Sequence, residues 1–201
     1  MAEQDVSSPN LYHFTRKLEY LKGILKDKKF RVSICKERYP FIQKNLIRDI
    51  PMVCFCDLPK GARETHKERY GYYAISFKKE WANKYKICPV IYCRQKGKVS
   101  DYIRMIYNNP LVNKQLKDGL LNYCKPTRGI EFIKEQQKWS DYKVKFLDER
   151  EWRYTPKKND VNTSLPFTLD DILNVYVKDE TEISELFGLI DKAKIKVSSK
   201  K

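Results

Sequence analysis

Histidine is scarce in this chain, and the ligand spacings of a metal site are missing. The 201 residues contain two histidines and six cysteines, and no two cysteines are spaced as C-x-x-C. Cys54 and Cys56 lie two positions apart in an apolar run, but a zinc site combines such a pair with a second Cys or His cluster. We therefore expect no metal site and interpret the cysteines as buried, reduced thiols.

Long apolar runs and a glycine-rich nucleotide loop are also absent. No run of 18 apolar residues occurs, and the first ten residues, MAEQDVSSPN, are polar. We therefore expect neither a membrane span nor a secretion signal, and we expect a cytoplasmic protein. None of the seven glycines forms G-x-G-x-x-G, which argues against a Rossmann dehydrogenase.

Positive charge is abundant. The chain has 41 Lys and Arg against 26 Asp and Glu, a formal charge of +15, together with 14 tyrosines. Such a field attracts polyanions because neutralised phosphates release counterions, and tyrosine rings can stack on unpaired bases. This composition favours a nucleic-acid partner, RNA more than DNA. The alternative is a lysine-rich surface that is only solvated.

The length fits one domain over residues 1–201, and the apolar patterns favour an α+β fold on a small split sheet. The predicted strands are Leu11–Thr15, Pro51–Asp57, Tyr72–Phe77, Pro89–Cys93 and Leu173–Val177. The predicted helices are Leu18–Leu25, Ala62–Tyr70, Lys79–Lys84 and Glu180–Ala193. Residues 100–140 read as a helical insertion, and residues 192–201 as a basic tail.

Two acidic residues carry the strongest chemical signal. We predict one long strand over Tyr142–Tyr154, in which Glu149 and Glu151 share a face because strand side chains alternate. Neighbouring carboxylates repel one another, a cost tolerated at functional sites or at a solvated edge. In the second interpretation, Arg150 and Arg153 pair with the acids on an exposed strand.

Three further residues are candidates by position. His13 lies in the middle of the first apolar strand, where a buried structural histidine is the alternative. His66 and Tyr70 are four apart on a predicted helix and face the same side. Their alternative is a solvated helix surface, because charged residues surround them in the sequence.

Taken in order, these elements resemble the ADP-ribosyltransferase fold. LYHFTRKLEYLKGIL looks like its first strand and helix, VCFCDLPKGARETHKERYGYYAISF like its next segment, and EREW like its closing E-x-E strand. The resemblance implies NAD as substrate and a split β-sheet. It implies that His13, supported by Thr15, donates to the ribose and that His66 or Tyr70 stacks on nicotinamide. Glu151 would be catalytic, with Glu149 facing the acceptor.

A second resemblance is to bacterial abortive-infection AbiGi-like proteins. It rests on HFT, IPMVCFCDLP, the H…YG pair, PVIY and EREWRY, in that order. It implies phage defence, in a family that includes antitoxins. The sequence thus predicts a toxin or defence effector that transfers ADP-ribose from NAD to a nucleic acid. A protein acceptor, or a non-enzymatic antitoxin or binding module with a cognate partner, are the alternatives.

If RNA phosphates are the target, binding must depend on salt. We expect the affinity for a single-stranded RNA to fall about tenfold or more between about 50 and 200 mM salt, because each neutralised phosphate releases counterions. Fluorescence anisotropy of a labelled RNA measures it. Binding that does not change with salt would point to a protein acceptor.

Overall fold

The computed structural model describes residues 8–59, 63–157 and 163–198. The fold is a mixed α+β arrangement around an eight-stranded sheet. The start of the predicted helix at Ala62 and the last residues of the predicted tail lie outside the described residues.

The elements follow one another closely. The strands are β1 Asn10–Thr15, β2 Lys29–Arg31, β3 Ser33–Arg38, β4 Ile47–Cys56, β5 Tyr73–Lys78, β6 Cys88–Pro89, β7 Ile91–Cys93, β8 Cys124–Pro126, β9 Phe132–Ile133, β10 Lys138–Trp139, β11 Glu151–Tyr154, β12 Ser164–Pro166, β13 Ile172–Val177 and β14 Ile195–Val197. The helices are α1 Leu18–Asp27, α2 Arg63–Tyr70, α3 Lys79–Lys84, α4 Lys98–Asn108 and α5 Lys114–Asn122. Short 3₁₀ helices occupy Lys134–Gln136, Phe146–Glu149, Glu180–Leu186 and Lys192–Lys194.

The main sheet runs in the order β14-β13-β5-β1-β4-β11-β6, and β3 also pairs with β4. The long strand β4 organises it. Its first half, from Ile47 to Met52, pairs with β3, and its second half, from Val53 to Cys56, pairs with β11. The same strand therefore joins two otherwise separate parts of one sheet, β3 on one side and β11 on the other.

Two apolar cores lie against these two halves. The larger packs α1, α3 and the 3₁₀ segment at Glu180–Leu186 on the sheet around Phe30, Phe55 and Phe77. The smaller packs α4 and α5 against β3 and β4 around Tyr39, Phe41, Ile50, Met52, Ile103 and Leu121. No helix in the described part of the chain is both long and apolar enough to cross a membrane.

The prediction of one strand over Tyr142–Tyr154 is wrong. Phe146–Glu149 is a 3₁₀ helix, Arg150 is left-handed with φ of 45°, and β11 begins only at Glu151. The 3₁₀ helix and the left-handed residue interrupt the extended chain, so strand alternation does not relate Glu149 to Glu151. The two glutamates line the same cavity because of this turn.

Three other predictions are corrected. The helical insertion at residues 100–140 ends at Asn122, because Cys124–Pro126 pairs with β7 and the following residues form the β9–β10 hairpin. The predicted helix Glu180–Ala193 consists of two short 3₁₀ segments, the first begun by a capping box of Asp179 and Glu182. Part of the basic tail is β14, which pairs in parallel with β13. The single-domain assignment stays a prediction.

Gly71 sits where only glycine fits. Its φ is +108°, and a Cβ there would lie 2.2 Å from the Thr15 carbonyl oxygen. Gly71→Ala should lower the free energy of unfolding by about 2 kcal/mol or more, because strain adds to backbone overlap. Gly23→Ala in α1 is the matched control. A Cβ at Gly23 meets nothing within 4 Å, so we expect a gain of about 0.5–1 kcal/mol. Urea denaturation measures both, and equal effects would contradict the account.

Candidate functional site

A cavity of about 240 Å³ opens where β1, β3, β4 and α2 meet the chain segments around β8 to β11. Five of the six residues singled out by sequence line it. They are His13, His66, Tyr70, Glu149 and Glu151. Thr15 is not among the lining residues; it ends β1 and pairs with Tyr73. The structure thus brings distant residues together, while their roles stay predictions.

Glu151 is held by two cations. Arg153, which is fully buried, donates from Nε to Glu151 Oε1 at 2.6 Å. Lys125 Nζ donates to Glu151 Oε2 at 2.6 Å. The backbone N–H of Glu151 donates to the Tyr92 hydroxyl at 2.8 Å. Glu151 is therefore fixed in position before any ligand arrives.

Glu149 is tied to the same lysine from the other side. Lys125 Nζ lies 2.7 Å from Glu149 Oε2, and Arg69 Nη1 lies 3.0 Å from Glu149 Oε1. The Tyr70 hydroxyl also donates to Glu149. Lys125 thus bridges the two glutamates, which removes the repulsion that their proximity would otherwise cause.

The ion pairs continue at both ends of this cluster. Arg153 also donates to Glu37 and to the Asn122 carbonyl, the latter at 2.8 Å. Arg69 Nη2 lies 2.5 Å from Glu131 Oε2. We call these seven side chains the buried network: Glu37, Arg69, Lys125, Glu131, Glu149, Glu151 and Arg153. Four carboxylates meet three cations, so the network carries a surplus of one negative charge.

Burial and charge act in opposite directions on the pKa values in this network. Burial alone would raise the pKa of Glu151, but Arg153 and Lys125 hold it well below its ordinary value. Burial would lower the pKa of Lys125, but Glu149 and Glu151 hold it well above its ordinary value. Both groups therefore stay charged across the neutral range.

Two rings of α2, those of His66 and Tyr70, pack with Phe14 of β1 in tilted contacts beside the network. The His66 ring lies 4.7 Å from Phe14 and 4.3 Å from Tyr70, and the Arg69 guanidinium lies 4.8 Å from the Tyr70 ring. His66 Nε2 contacts Cys56 Sγ at 3.1 Å. Burial, together with Arg69 and Lys125, lowers the pKa of His66 to about 4. His66 is therefore neutral at pH 7, and the solvated-surface alternative for it and Tyr70 is wrong.

His13 is both a packed structural residue and a residue that lines the cavity, the two alternatives that the sequence left open. Its ring packs 4.6 Å from Phe30 and 5.7 Å from Phe55, yet its side chain also lines the cavity. His13 Nδ1 lies 2.9 Å from the Cys54 carbonyl oxygen, so Nδ1 carries the proton. Burial lowers the pKa of His13, which makes Nε2 an acceptor. The prediction that His13 donates to a ribose is therefore corrected: it can accept from a hydroxyl.

Sequence reasoning missed most of the cations. Lys125 lies inside the helical insertion predicted for residues 100–140 and was not singled out, and neither were Arg69 and Glu37. The second interpretation, in which Arg150 and Arg153 pair with the acids, holds for Arg153, which pairs with Glu151, whereas Arg150 does not enter the network. Ion pairs between residues this far apart leave no signal in one sequence.

The mouth of the cavity has a different composition. Trp139 and Phe132 face each other across the β9–β10 hairpin, and Lys36 and Arg38 lie on the neighbouring edge of β3. A second cleft of about 490 Å³ adjoins it and shares Cys35, Lys36, Tyr70, Glu131 and Phe132 with the cavity lining. Together the two spaces reach the size of small-molecule sites, roughly 300–1,000 Å³. Within residues 8–59, 63–157 and 163–198, no group of three or more His, Cys, Asp or Glu side chains could hold a metal ion.

Comparison with known proteins places this chain in a phage-defence family. The chain matches the family model described as "Putative abortive phage resistance protein AbiGi, antitoxin" over residues 28–182, which is most of its length. The chain therefore belongs to the AbiGi abortive phage resistance family. The resemblance predicted from IPMVCFCDLP and EREWRY is confirmed.

One relative illustrates the similarity. The chain is 28% identical over 199 residues to the "Abortive phage resistance protein AbiGi" of Lactococcus lactis subsp. cremoris, covering 85% of this chain and 73% of the relative. No solved structure matches this chain. The ADP-ribosyltransferase-like fold thus stays a prediction.

The lowered pKa of His66 makes stability depend on pH. Between pH 6.5 and about 4, His66 is protonated in the unfolded chain but neutral in the folded protein. The free energy of unfolding therefore falls as pH falls through this window. His66 alone should cost on the order of 2–3 kcal/mol there. Urea denaturation at pH 7 and pH 4.5 measures the change. The fall should be smaller in His66→Gln than in the wild type, and equal falls would contradict a buried neutral His66.

Proposed function

We propose that this phage-defence protein binds NAD in the cavity and transfers its ADP-ribose to a nucleic acid. One observation carries the proposal. His13, His66, Tyr70, Glu149 and Glu151, the residues that the ADP-ribosyltransferase resemblance implies, line a single cavity although β1, α2 and β11 are far apart in the sequence. Such convergence is what one small substrate requires.

The reaction breaks the bond between nicotinamide and its ribose. Nicotinamide leaves with the bonding electron pair, the acceptor atom bonds to the sugar carbon, and the acceptor's proton is released. Positive charge develops on the sugar in between, as in glycoside hydrolysis. A fixed negative group close to that carbon stabilises this state.

Glu151 is our candidate for that group. It is buried, and its lowered pKa keeps it ionised. Arg153 and Lys125 hold it in one orientation, so little reorganisation is needed as charge develops.

The other residues would orient the reactants. Glu149, bonded to Tyr70, would accept the proton of the acceptor. The His66 or the Tyr70 ring would stack on nicotinamide, and His13 Nε2 would accept a hydrogen bond from a ribose hydroxyl, with Thr15 supporting His13. Arg69 Nε is buried with no hydrogen-bond partner in the described part of the chain, which fits a polar substrate that completes the site.

The acceptor is inferred from charge. A protein with a formal charge of +15 concentrates polyanions around itself, and RNA offers unpaired bases. A protein acceptor requires no such excess of charge.

One observation favours a second candidate, a non-enzymatic antitoxin with a cognate partner. Both carboxylate oxygens of Glu151 already accept from Arg153 or Lys125, as in a purely structural ion cluster. The matching family model is itself described as an antitoxin. A direct assay of Glu151 separates the two candidates.

Replacing each glutamate should have a different effect. Glu151→Gln removes the charge that stabilises the transition state, so nicotinamide release should fall about a hundredfold or more with and without acceptor. Glu149→Gln should impair transfer while some NAD hydrolysis remains, because water needs less positioning. Asp148→Asn is the matched control, since Asp148 is exposed and pairs only with Lys145 among the described residues. Nicotinamide release is measured with RNA, DNA or protein present.

Folding must be checked in parallel. Glu151 pairs with two buried cations, so Glu151→Gln should also destabilise the protein, by about 3 kcal/mol. Circular dichroism must show a folded variant at the assay temperature, and Tyr70→Phe, which removes one hydrogen bond to Glu149, serves as a milder second variant. Full activity in folded Glu151→Gln, or no NAD turnover by the wild type, would support the antitoxin reading instead.

A further inference from the structure

The mouth of the cavity alternates cations with aromatic rings. Lys36 Nζ lies 5.7 Å from the Phe132 ring, and the Arg38 guanidinium lies 5.3 Å from the Trp139 ring. Phe132 and Trp139 are directly opposed in the β9–β10 hairpin, with ring centres 5.4 Å apart. Because side chains alternate along a strand, Lys36 and Arg38 share one face of β3. All four side chains line the cavity.

Arg38 differs from the other cations of this cavity. Lys125 is paired with glutamates, and Lys36 donates to Asp49 at 2.9 Å. The Arg38 guanidinium, apart from its contact with Trp139, makes no ion pair or hydrogen bond with any residue in the described ranges. Its N–H donors therefore have no acceptor among the described residues, and a planar guanidinium can bind a phosphate through two hydrogen bonds.

The hairpin that presents Trp139 is anchored rather than loose. The backbone N–H of Ser140 donates to the Glu131 carbonyl at 2.8 Å, and Glu131 is in turn bound by Arg69 of α2. The tip of the hairpin is held by an ion pair of Glu135 with Arg16. The aromatic wall is thus positioned by the same buried network that fixes the glutamates.

We propose that this mouth is a nucleotide-binding subsite, in which Trp139 and Phe132 contact a planar base and Arg38 binds the attached phosphate. Base stacking on an aromatic side chain and a charge-assisted bond from arginine are the two contacts by which proteins hold nucleotides without reading their sequence. This subsite rests on the proposed function in one respect: its residues line the cavity in which we propose that NAD binds. Two sources share this chemistry: the adenylate half of NAD and a nucleotide of an RNA acceptor.

Binding of adenosine 5′-monophosphate to the full-length protein tests the subsite without any reaction. Isothermal titration should detect binding to the wild type, weakened at least tenfold in Arg38→Gln. Adenosine, which has no phosphate, should bind the wild type and Arg38→Gln equally. Trp139→Leu should weaken both ligands. Arg31→Gln is the matched control, because it removes the same charge from an exposed arginine paired with Asp27.

Uridine 5′-monophosphate distinguishes the two sources. Equal binding of both nucleotides supports an RNA acceptor at the mouth, and binding of the adenine nucleotide alone supports the adenylate half of NAD. No binding of either at millimolar concentration, or unchanged binding in folded Arg38→Gln, overturns the subsite. These titrations contain no NAD and require no turnover, so failure of the catalytic proposal and failure of this one remain distinguishable.

Discussion

The buried guanidinium of Arg153 is the constraint on which the site depends. It is fully buried and donates to Glu37 on β3, to Glu151 on its own strand and to the Asn122 carbonyl at the end of α5. Three separate elements are thereby fixed around one charge. A buried arginine is tolerated only when its donors are satisfied in this way, and removal of a single partner leaves an unpaired charge at high cost.

Lys125 extends that constraint into the cavity. It bridges Glu149 and Glu151, and α2 is attached through Arg69 to Glu149 and Glu131. A buried ionic network stabilises a protein less than a well-packed apolar core does. It matters here for position, because it holds Glu149 and Glu151 next to His66 and the aromatic hairpin at one cavity. The family acts in phage defence, and we propose that the network serves this role by positioning the groups that act on NAD.

The sequence predicted the apolar elements well and the turns poorly. Periodic segments such as β1, α1, β5 and β13 lie close to their predicted positions, because the spacing of their apolar residues along the chain indicates which side is buried. The strand β3, with sequence SICKER, was not predicted, since its charged residues make no apolar alternation. The left-handed turn at Arg150 was also missed, because an arginine gives no sign of a positive φ. The candidate acids and rings could be identified from sequence motifs. Most of their cationic partners could be identified only from the structure, because they are distant in the sequence.

The most direct test of this account is transfer of a label. The purified protein is incubated with RNA and with NAD labelled on its adenylate phosphate, and the RNA is recovered under denaturing conditions. The account predicts that the label becomes covalently attached to RNA while at least an equal amount of nicotinamide is released. Unlabelled RNA together with intact NAD would contradict it.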